Sequence, residues 1–283
     1  MTIAYSKKAM TWRRALAIYP LALLLVVFTL FPIYWVMNSS LKLGVEVFRF
    51  PPLYWPSEIN LRNYVDAITN SRLTFLYVNS LIVAFCTCIC ILVLVTFAGY
   101  SMSRFRFRAK GLIVLLFLLA QMLPAVVLIA PLFAIYTQLH LINTRWVLII
   151  SYTITSLPFC VLMMRGFFDS LPQEMEEAAM VDGCGRTGAL FRVLLPMALP
   201  GLVATSIFGF IDAWNELIFA VMFISSPSLQ TLPVGLNLMR LEWRTDYGLM
   251  LAVAVLALVP SLILFGFIQR FLTTGLSAGA VKG

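Results

Sequence analysis

Six blocks of apolar residues, each long enough to cross a bilayer, alternate with polar stretches along the chain. They run over about 15–37, 75–100, 111–136, 146–167, 201–224 and 247–270. A spanning helix needs about 20 mostly apolar residues, because about 1.5 Å per residue must cover about 30 Å of hydrocarbon. The pattern therefore predicts an all-α, polytopic transmembrane helical bundle of six spans. The first block is longer than the apolar core of a signal peptide and no A-x-A site follows it, so it reads as an uncleaved helix. Ser101 to Lys110 is short and basic, which makes spans two and three a hairpin. Asn38 to Thr74 is polar and proline-rich, and its aromatics (Phe50, Tyr54, Trp55) suit the membrane interface. Pro124, Pro131 and Pro158 permit bends within spans.

Composition agrees with the pattern. The chain is 61% hydrophobic and 11% charged, against about half and about a quarter for soluble domains. Its formal charge of +8 raises nucleic-acid binding as a reading, but location argues otherwise. Eight of the twenty basic residues form two runs that abut apolar blocks: Lys7, Lys8, Arg13, Arg14 and Arg104, Arg106, Arg108, Lys110. Such runs set topology. With the N-terminus inside, thirteen Lys and Arg fall on the inner side and seven on the outer, which places both termini in the cytoplasm. Of five cysteines, Cys86, Cys88, Cys90 and Cys160 lie in apolar blocks and Cys184 in a polar loop. With one histidine, His140, and no paired C-x-x-C elements, neither a metal site nor a disulfide framework is expected.

The connection between spans four and five carries an acidic helix. Ser170 stands three residues before Gln173, a capping-box spacing, and Pro172 falls in the first turn, where proline is tolerated. Glu174, Glu176 and Glu177 then lie near the positive end of the helix dipole. Gly183 supplies a stop. Ala178 and Ala179 are small enough to let another surface come close. A plain connector helix on the membrane surface is the bland alternative, yet anionic headgroups favour Lys and Arg, so a protein partner accounts for the acid better.

Span five holds Asp212, Trp214, Asn215 and Glu216. A carboxylate at mid-membrane costs about 2.5–3.5 kcal/mol on insertion scales, so two in one span call for a reason. On an ideal helix Asp212 and Glu216 stand about 40° apart with Asn215 beside them, a polar stripe able to accept hydrogen bonds. Trp214 points the other way. The structural alternative pairs these groups with Arg165, Asn79 or a neighbouring subunit. Hydroxyl-bearing residues of span four (Ser151, Tyr152, Thr153, Thr155, Ser156) and Gln121 of span three read mainly as glue between helices.

Glu177-Ala178-Ala179, then Gly183, then Val193-Leu194-Leu195-Pro196 resembles the EAA loop of importer-type ABC transporter permeases, with valine for the more usual isoleucine. Asn79-Ser80, Met122-Leu123-Pro124, Pro131-Leu132-Phe133, Asn143-Thr144, Leu157-Pro158-Phe159 through Arg165-Gly166-Phe167-Phe168, and the tail Gly275 to Gly283 extend the likeness over nearly the whole chain. It resembles most the carbohydrate-uptake branch and its six-span maltose-transporter permease. Departures are His140, where glycine is common, and Cys184, where alanine is common.

The resemblance implies a cytoplasmic N-terminus (1–14), a first helix (15–37), an external loop (38–74), a core permease domain (75–270) with a coupling loop at 168–200, and a cytoplasmic tail (271–283). It implies a coupling helix at about 174–184, with Glu174, Glu177, Ala178, Ala179, Asp182 and Gly183 at the ATPase. Asp212, Asn215, Glu216 and Asn79 would line the translocation path, and Gly279, Lys282 and Gly283 of the tail would touch the ATPase. Implied partners are a second permease subunit, different from this chain, two ATPase subunits, an external solute-binding protein and membrane lipid, with no nucleic acid. The location is a bacterial or archaeal cell (inner) membrane. No G-x-x-x-x-G-K-[ST] pattern is present, so no cofactor is expected on this chain and ATP and Mg belong to the partner ATPase. Two other classes compete. An intramembrane enzyme would need a histidine, or clustered acids beyond Asp212 and Glu216, that the spans lack, and a stand-alone secondary transporter would have no use for the acidic helix. An ABC permease for a non-sugar solute, such as glycerol phosphate, is the alternative within the class.

Overall fold

Helices account for every regular element among the described residues of the computed structural model, which are 12–241 and 246–279. In chain order they are α1 (Trp12–Ser40), α2 (Arg62–Thr69), α3 (Ser71–Arg104), α4 (Lys110–Met122), α5 (Ala125–Gln138), α6 (Arg145–Ser170) and α7 (Gln173–Val181). There follow α8 (Arg186–Ala189), a π turn (Leu190–Leu194), α9 (Leu195–Met197), α10 (Leu199–Asn215), α11 (Ile218–Phe223), α12 (Leu232–Leu241) and α13 (Tyr247–Gly279). Four helical stretches are long and apolar enough to cross a membrane: Ile18–Ser40, Arg72–Arg104, Arg145–Ser170 and Tyr247–Phe267. Two bent pairs raise the number to six if each counts as one span.

Those pairs correct the expectation of continuous helices. Span three breaks at Leu123-Pro124 into α4 and α5, which meet at 103°. Proline forces the residue before it out of the helical region, and Leu123 duly has ψ 124°. Residues 186–197 and α10 likewise meet at 78°, with Pro196 and Pro200 on either side of the bend. The fifth apolar block (201–224) starts after that bend and breaks within itself, because α10 stops at Asn215 and α11 begins at Ile218. At the other end of the chain the last helix outruns its expected limit of residue 270 and continues to Gly279.

The chain divides into two compact units. One comprises residues 1–67 with 244–255. Here the segment that follows α1 is folded rather than open. Lys42 is 1% exposed, donates to the Leu53 carbonyl at 2.6 Å and lies 4.5 Å from the centre of the Trp35 ring. Burial pushes the Lys42 ammonium below its ordinary pKa, and the Glu46 carboxylate draws it part of the way back. Asn63 of α2 donates to the Ser40 and Lys42 carbonyls, fixing the exit of α1. Residues 18–34 of α1 are exposed on every side, the pattern of a helix surrounded by hydrocarbon, and α1 becomes buried only at its end, at Asn38, Ser39 and Ser40.

The other unit comprises residues 68–243 with 256–283. Its core is the pair α3 and α6, joined by the segment after α7 through Ile91, Val95, Tyr100, Cys160, Val161, Met164, Phe168, Leu190 and Leu194. Both helices are capped from the sequence. Asn70 accepts from the Arg72 and Leu73 amides at the start of α3, and Thr144 accepts from Val147 at the start of α6.

Candidate coupling and translocation sites

The acidic helix forms, but its start is built differently from the expected capping box. Ser170 donates to the Phe167 carbonyl, finishing α6, and α7 begins after Pro172 with no side-chain cap. Leu171 lies before a proline and is extended, with ψ 133°, which separates the two helices. The stop is as expected. Gly183 has φ +88°, the left-handed conformation that glycine adopts without steric cost. Cys184 N–H reaches the Ala179 carbonyl at 3.0 Å and Gly183 N–H the Met180 carbonyl at 3.1 Å, a Schellman closure.

The two faces of α7 divide the expected residues. Glu174, Glu177, Ala178 and Val181 are exposed, and Asp182 and Gly183 continue that surface. Ala179 is buried within the chain, so close approach of another surface falls to Ala178. The buried acid is Glu176, which sequence reasoning had grouped with its neighbours. Its Oε2 lies 3.0 Å from Arg104 Nε, and both side chains are nearly sealed, at 7% and 8% exposure for Arg104 and Glu176. Tyr100 donates its hydroxyl to Glu176 Oε1 at 2.5 Å, and Arg104 Nη2 donates to the Leu171 carbonyl at 3.0 Å. A cavity of about 280 Å³ beside this cluster is lined among others by Arg106, Glu177 and Arg186. Of the tail residues, Lys282 and Gly283 lie outside the described residues, and Gly279 is the last residue of α13.

In the apolar blocks the expected stripe is reorganised. The ideal wheel fails at Glu216, since α10 ends at Asn215 and Glu216 is extended with ψ 129°. Glu216 accepts instead from the Phe219 and Ala220 amides, meeting the positive end of α11. Asp212 is exposed on α10 and accepts from Ser156 of α6 at 2.5 Å. Asn215 is also exposed and donates back to the Ile211 carbonyl. Arg165 pairs with Asp169 on its own helix rather than with these acids. Trp214 is buried away from Asp212, stacks on Phe210 at 5.7 Å and donates to the Ala257 carbonyl. The hydroxyls of α6 mostly turn back on their own helix, while Ser151 reaches Tyr136 and Ser156 reaches Asp212.

Asn79 is a tie rather than a lining residue. It is 1% exposed, donates to the Ser228 and Gln230 carbonyls and receives both Nε and Nη2 of Arg145 on its amide oxygen. Its hydrogen-bonding capacity is thereby used up. Ser80, next to it, accepts from the Leu232 amide. Asn143 works beside them with φ +62°, accepting from the Ser225 and Ser226 amides.

A profile of the family described as "Binding-protein-dependent transport system inner membrane component" matches residues 95–277. The chain belongs to this family. The match takes in both α7 and Asp212 and leaves out α1. Relatives carry the same assignment over nearly full length. The sulfoquinovosyl glycerol transport system permease protein SmoH of Agrobacterium fabrum is 37% identical over 93% of this chain and 92% of its own. The diacetylchitobiose uptake system permease protein DasC of Streptomyces coelicolor is 36% identical over 93% and 95%. The trehalose/maltose transport system permease protein MalG of Thermococcus litoralis is 31% identical over 93% and 95%. A chain from the crystal structure of a bacterial ABC transporter involved in import of the acidic polysaccharide alginate superposes with a TM-score of 0.78, covering 91% of this chain and 96% of that one, at 20% identity. The shared architecture is that of a multi-pass inner-membrane permease.

Within this permease family the two departures in the sequence acquire physical content. His140 has φ +54°, so glycine would suit its backbone better. Cys184 is half-buried beyond the Gly183 turn, where only its amide is used. Glu176, Arg104 and Tyr100 went unread as a set because residues 76 apart carry no local signal of contact. The cue present in the sequence was three acids in one short helix with a basic run elsewhere that topology alone had absorbed.

Proposed function

We propose that this chain is one of two permease subunits of a binding-protein-dependent ABC importer for a sugar or oligosaccharide. Six spans with both termini in the cytoplasm place α7 on the inner side, where it seats in a cleft of a separate ATPase subunit. The observation that carries this reading is the division of α7 into a buried face anchored by Glu176 and an exposed face of Glu174, Glu177, Ala178 and Val181, closed by the left-handed Gly183. Among the described residues no ion pair holds Glu174 or Glu177, and an acidic face left open in this way suits a basic socket. The chain has no nucleotide cradle of its own, so energy comes from two such ATPases, with ATP and Mg held there. A solute-binding protein outside delivers cargo, and a second permease, a different chain, completes the pathway.

For the path itself Asp212 and Asn215 are the favoured pair, since both are exposed on α10. Glu216 contributes by fixing the α10–α11 break next to them. The cargo class rests on the substrates named for SmoH, DasC and MalG, each a glycoside or a saccharide.

The experiment is uptake by the reconstituted complex with its ATPase and binding protein. Gly183→Asp and Glu177→Lys should insert normally and lose coupled uptake. Normal uptake in both would sink the docking of α7. A binding protein that retains glycerol phosphate but no sugar would transfer the chain to the alternative cargo, and transport persisting after ATP depletion would favour a secondary transporter.

A further inference from the structure

The exposed face of α7 accounts for docking but not for what docking moves. A helix of nine residues, joined to α6 through Leu171 and Pro172, would simply swing if pulled. It has to be pinned to something long. We infer that Tyr100, Arg104 and Glu176 are positioning residues that pin α7 to the end of α3 and carry its displacement into that helix. The inference rests on the importer reading above and names the transmission element within it.

Geometry supports a rigid joint. One oxygen of Glu176 accepts from Tyr100, and the other is ion-paired at 3.0 Å with Arg104 Nε, whose N–H makes no hydrogen bond. Tyr100 and Arg104 are one turn apart on α3 and so share a face. Arg104 also holds the Leu171 carbonyl, so it grips α7 and the turn that leads into it together. Just beside it, Ser103 donates to Asp169 Oδ1 at 2.6 Å and Arg165 binds the other oxygen of Asp169. The ends of α3, α6 and α7 are thus one polar assembly. Nearly complete burial keeps the Arg104–Glu176 pair from being screened by salt.

Stability alone is a weak reason for such a pair. Apolar residues of similar volume often replace a buried ion pair at no loss, whereas a fixed geometry is what the pair supplies. Here the geometry links a surface helix to α3, whose 33-residue apolar stretch is long enough to cross the membrane.

The test uses the whole importer in proteoliposomes, measuring solute molecules imported per ATP hydrolysed. Glu176→Gln and Tyr100→Phe should still assemble and hydrolyse ATP, with the import ratio down about tenfold, a usual size for coupling between sites. The apolar pair Arg104→Met with Glu176→Met keeps the joint packed but removes its directionality. It should melt near the wild-type temperature and remain uncoupled. An unchanged import ratio in Glu176→Gln, or full coupling in the double methionine variant, would overturn the inference. So would parallel loss of hydrolysis and uptake through failed assembly, which marks a purely structural pair. Wild-type vesicles that show no ATP-dependent uptake would remove the importer reading itself, a result separable from all of these.

Discussion

Gly201 allows a quantitative test of how α6 and α10 are packed. A Cβ added there would lie 2.4 Å and 2.6 Å from two ring carbons of Phe167 and 2.7 Å from its Cβ. The ring could turn aside, but the Phe167 Cβ is fixed by its own backbone, so the two helices would have to part. Overpacking of this kind costs about 1–3 kcal/mol, and the close Cβ argues for the upper half. Against it stands the better helix propensity of alanine, worth up to about 1 kcal/mol. Gly201→Ala should therefore lose about 1–2 kcal/mol net, which at about 2–4 °C per kcal/mol lowers the melting temperature by about 5 °C. Gly166, on the same helix as Phe167, has nothing within 4 Å of its added Cβ, so Gly166→Ala serves as the control and should be unchanged or slightly more stable. Intrinsic tryptophan fluorescence during heating in detergent reads both. Phe167→Ala in the Gly201→Ala background should restore only part of the loss, because the Cβ clash survives removal of the ring. Gly201→Ala melting no lower than Gly166→Ala would refute the packing argument.

Three further outcomes separate structural ties from the path. Asn79→Ala strips Arg145 and two carbonyls of their partner at once, and if each of these three groups left unmatched costs about 1–3 kcal/mol the sum is at least about 3 kcal/mol; it should appear as a poor yield of folded protein, and wild-type yield and melting would contradict the tie. Asp212→Asn should keep the fold, since an amide oxygen still accepts from Ser156, while altering the concentration dependence or rate of uptake. Glu216→Gln should instead lower stability by about 1 kcal/mol through the weakened start of α11, and an effect on uptake without one on melting would return Glu216 to the path.

Much of the bundle was legible because membrane crossing imposes a length that local sequence cannot hide. Spans two and four were placed within a few residues at most ends, and Gly183 was readable because a left-handed helix stop favours one residue type. The failures have a common cause. Pro124 was read as a bend, yet whether proline bends or breaks a helix depends on what packs against the freed carbonyls. The 40° stripe assumed a helix through Glu216, when a carboxylate beside unpaired amides at a helix start stabilises a break instead. Ser170 fitted a capping spacing and was used by the helix behind it. In each case one polar group had two local partners available, and tertiary packing chose between them.

The polar groups that were misread lie where helices change direction, and that placement has a mechanical logic. The core that α3 and α6 share is largely apolar, and a hydrocarbon contact tolerates sliding because no atom pair in it is unique. Register must then be set at the ends. At one end Asn79 fixes α3 to Arg145 of α6 and to the carbonyls of residues 228 and 230. At the other, Ser103 and Arg104 fix α3 to Asp169, Leu171 and Glu176. A helix pinned at both ends and greased between them transmits a push along its length while its flanks remain free to rotate past their neighbours. Where the sequence places hydrogen-bonding side chains at both ends of a span and leaves its middle apolar, it is specifying a lever as well as an anchor.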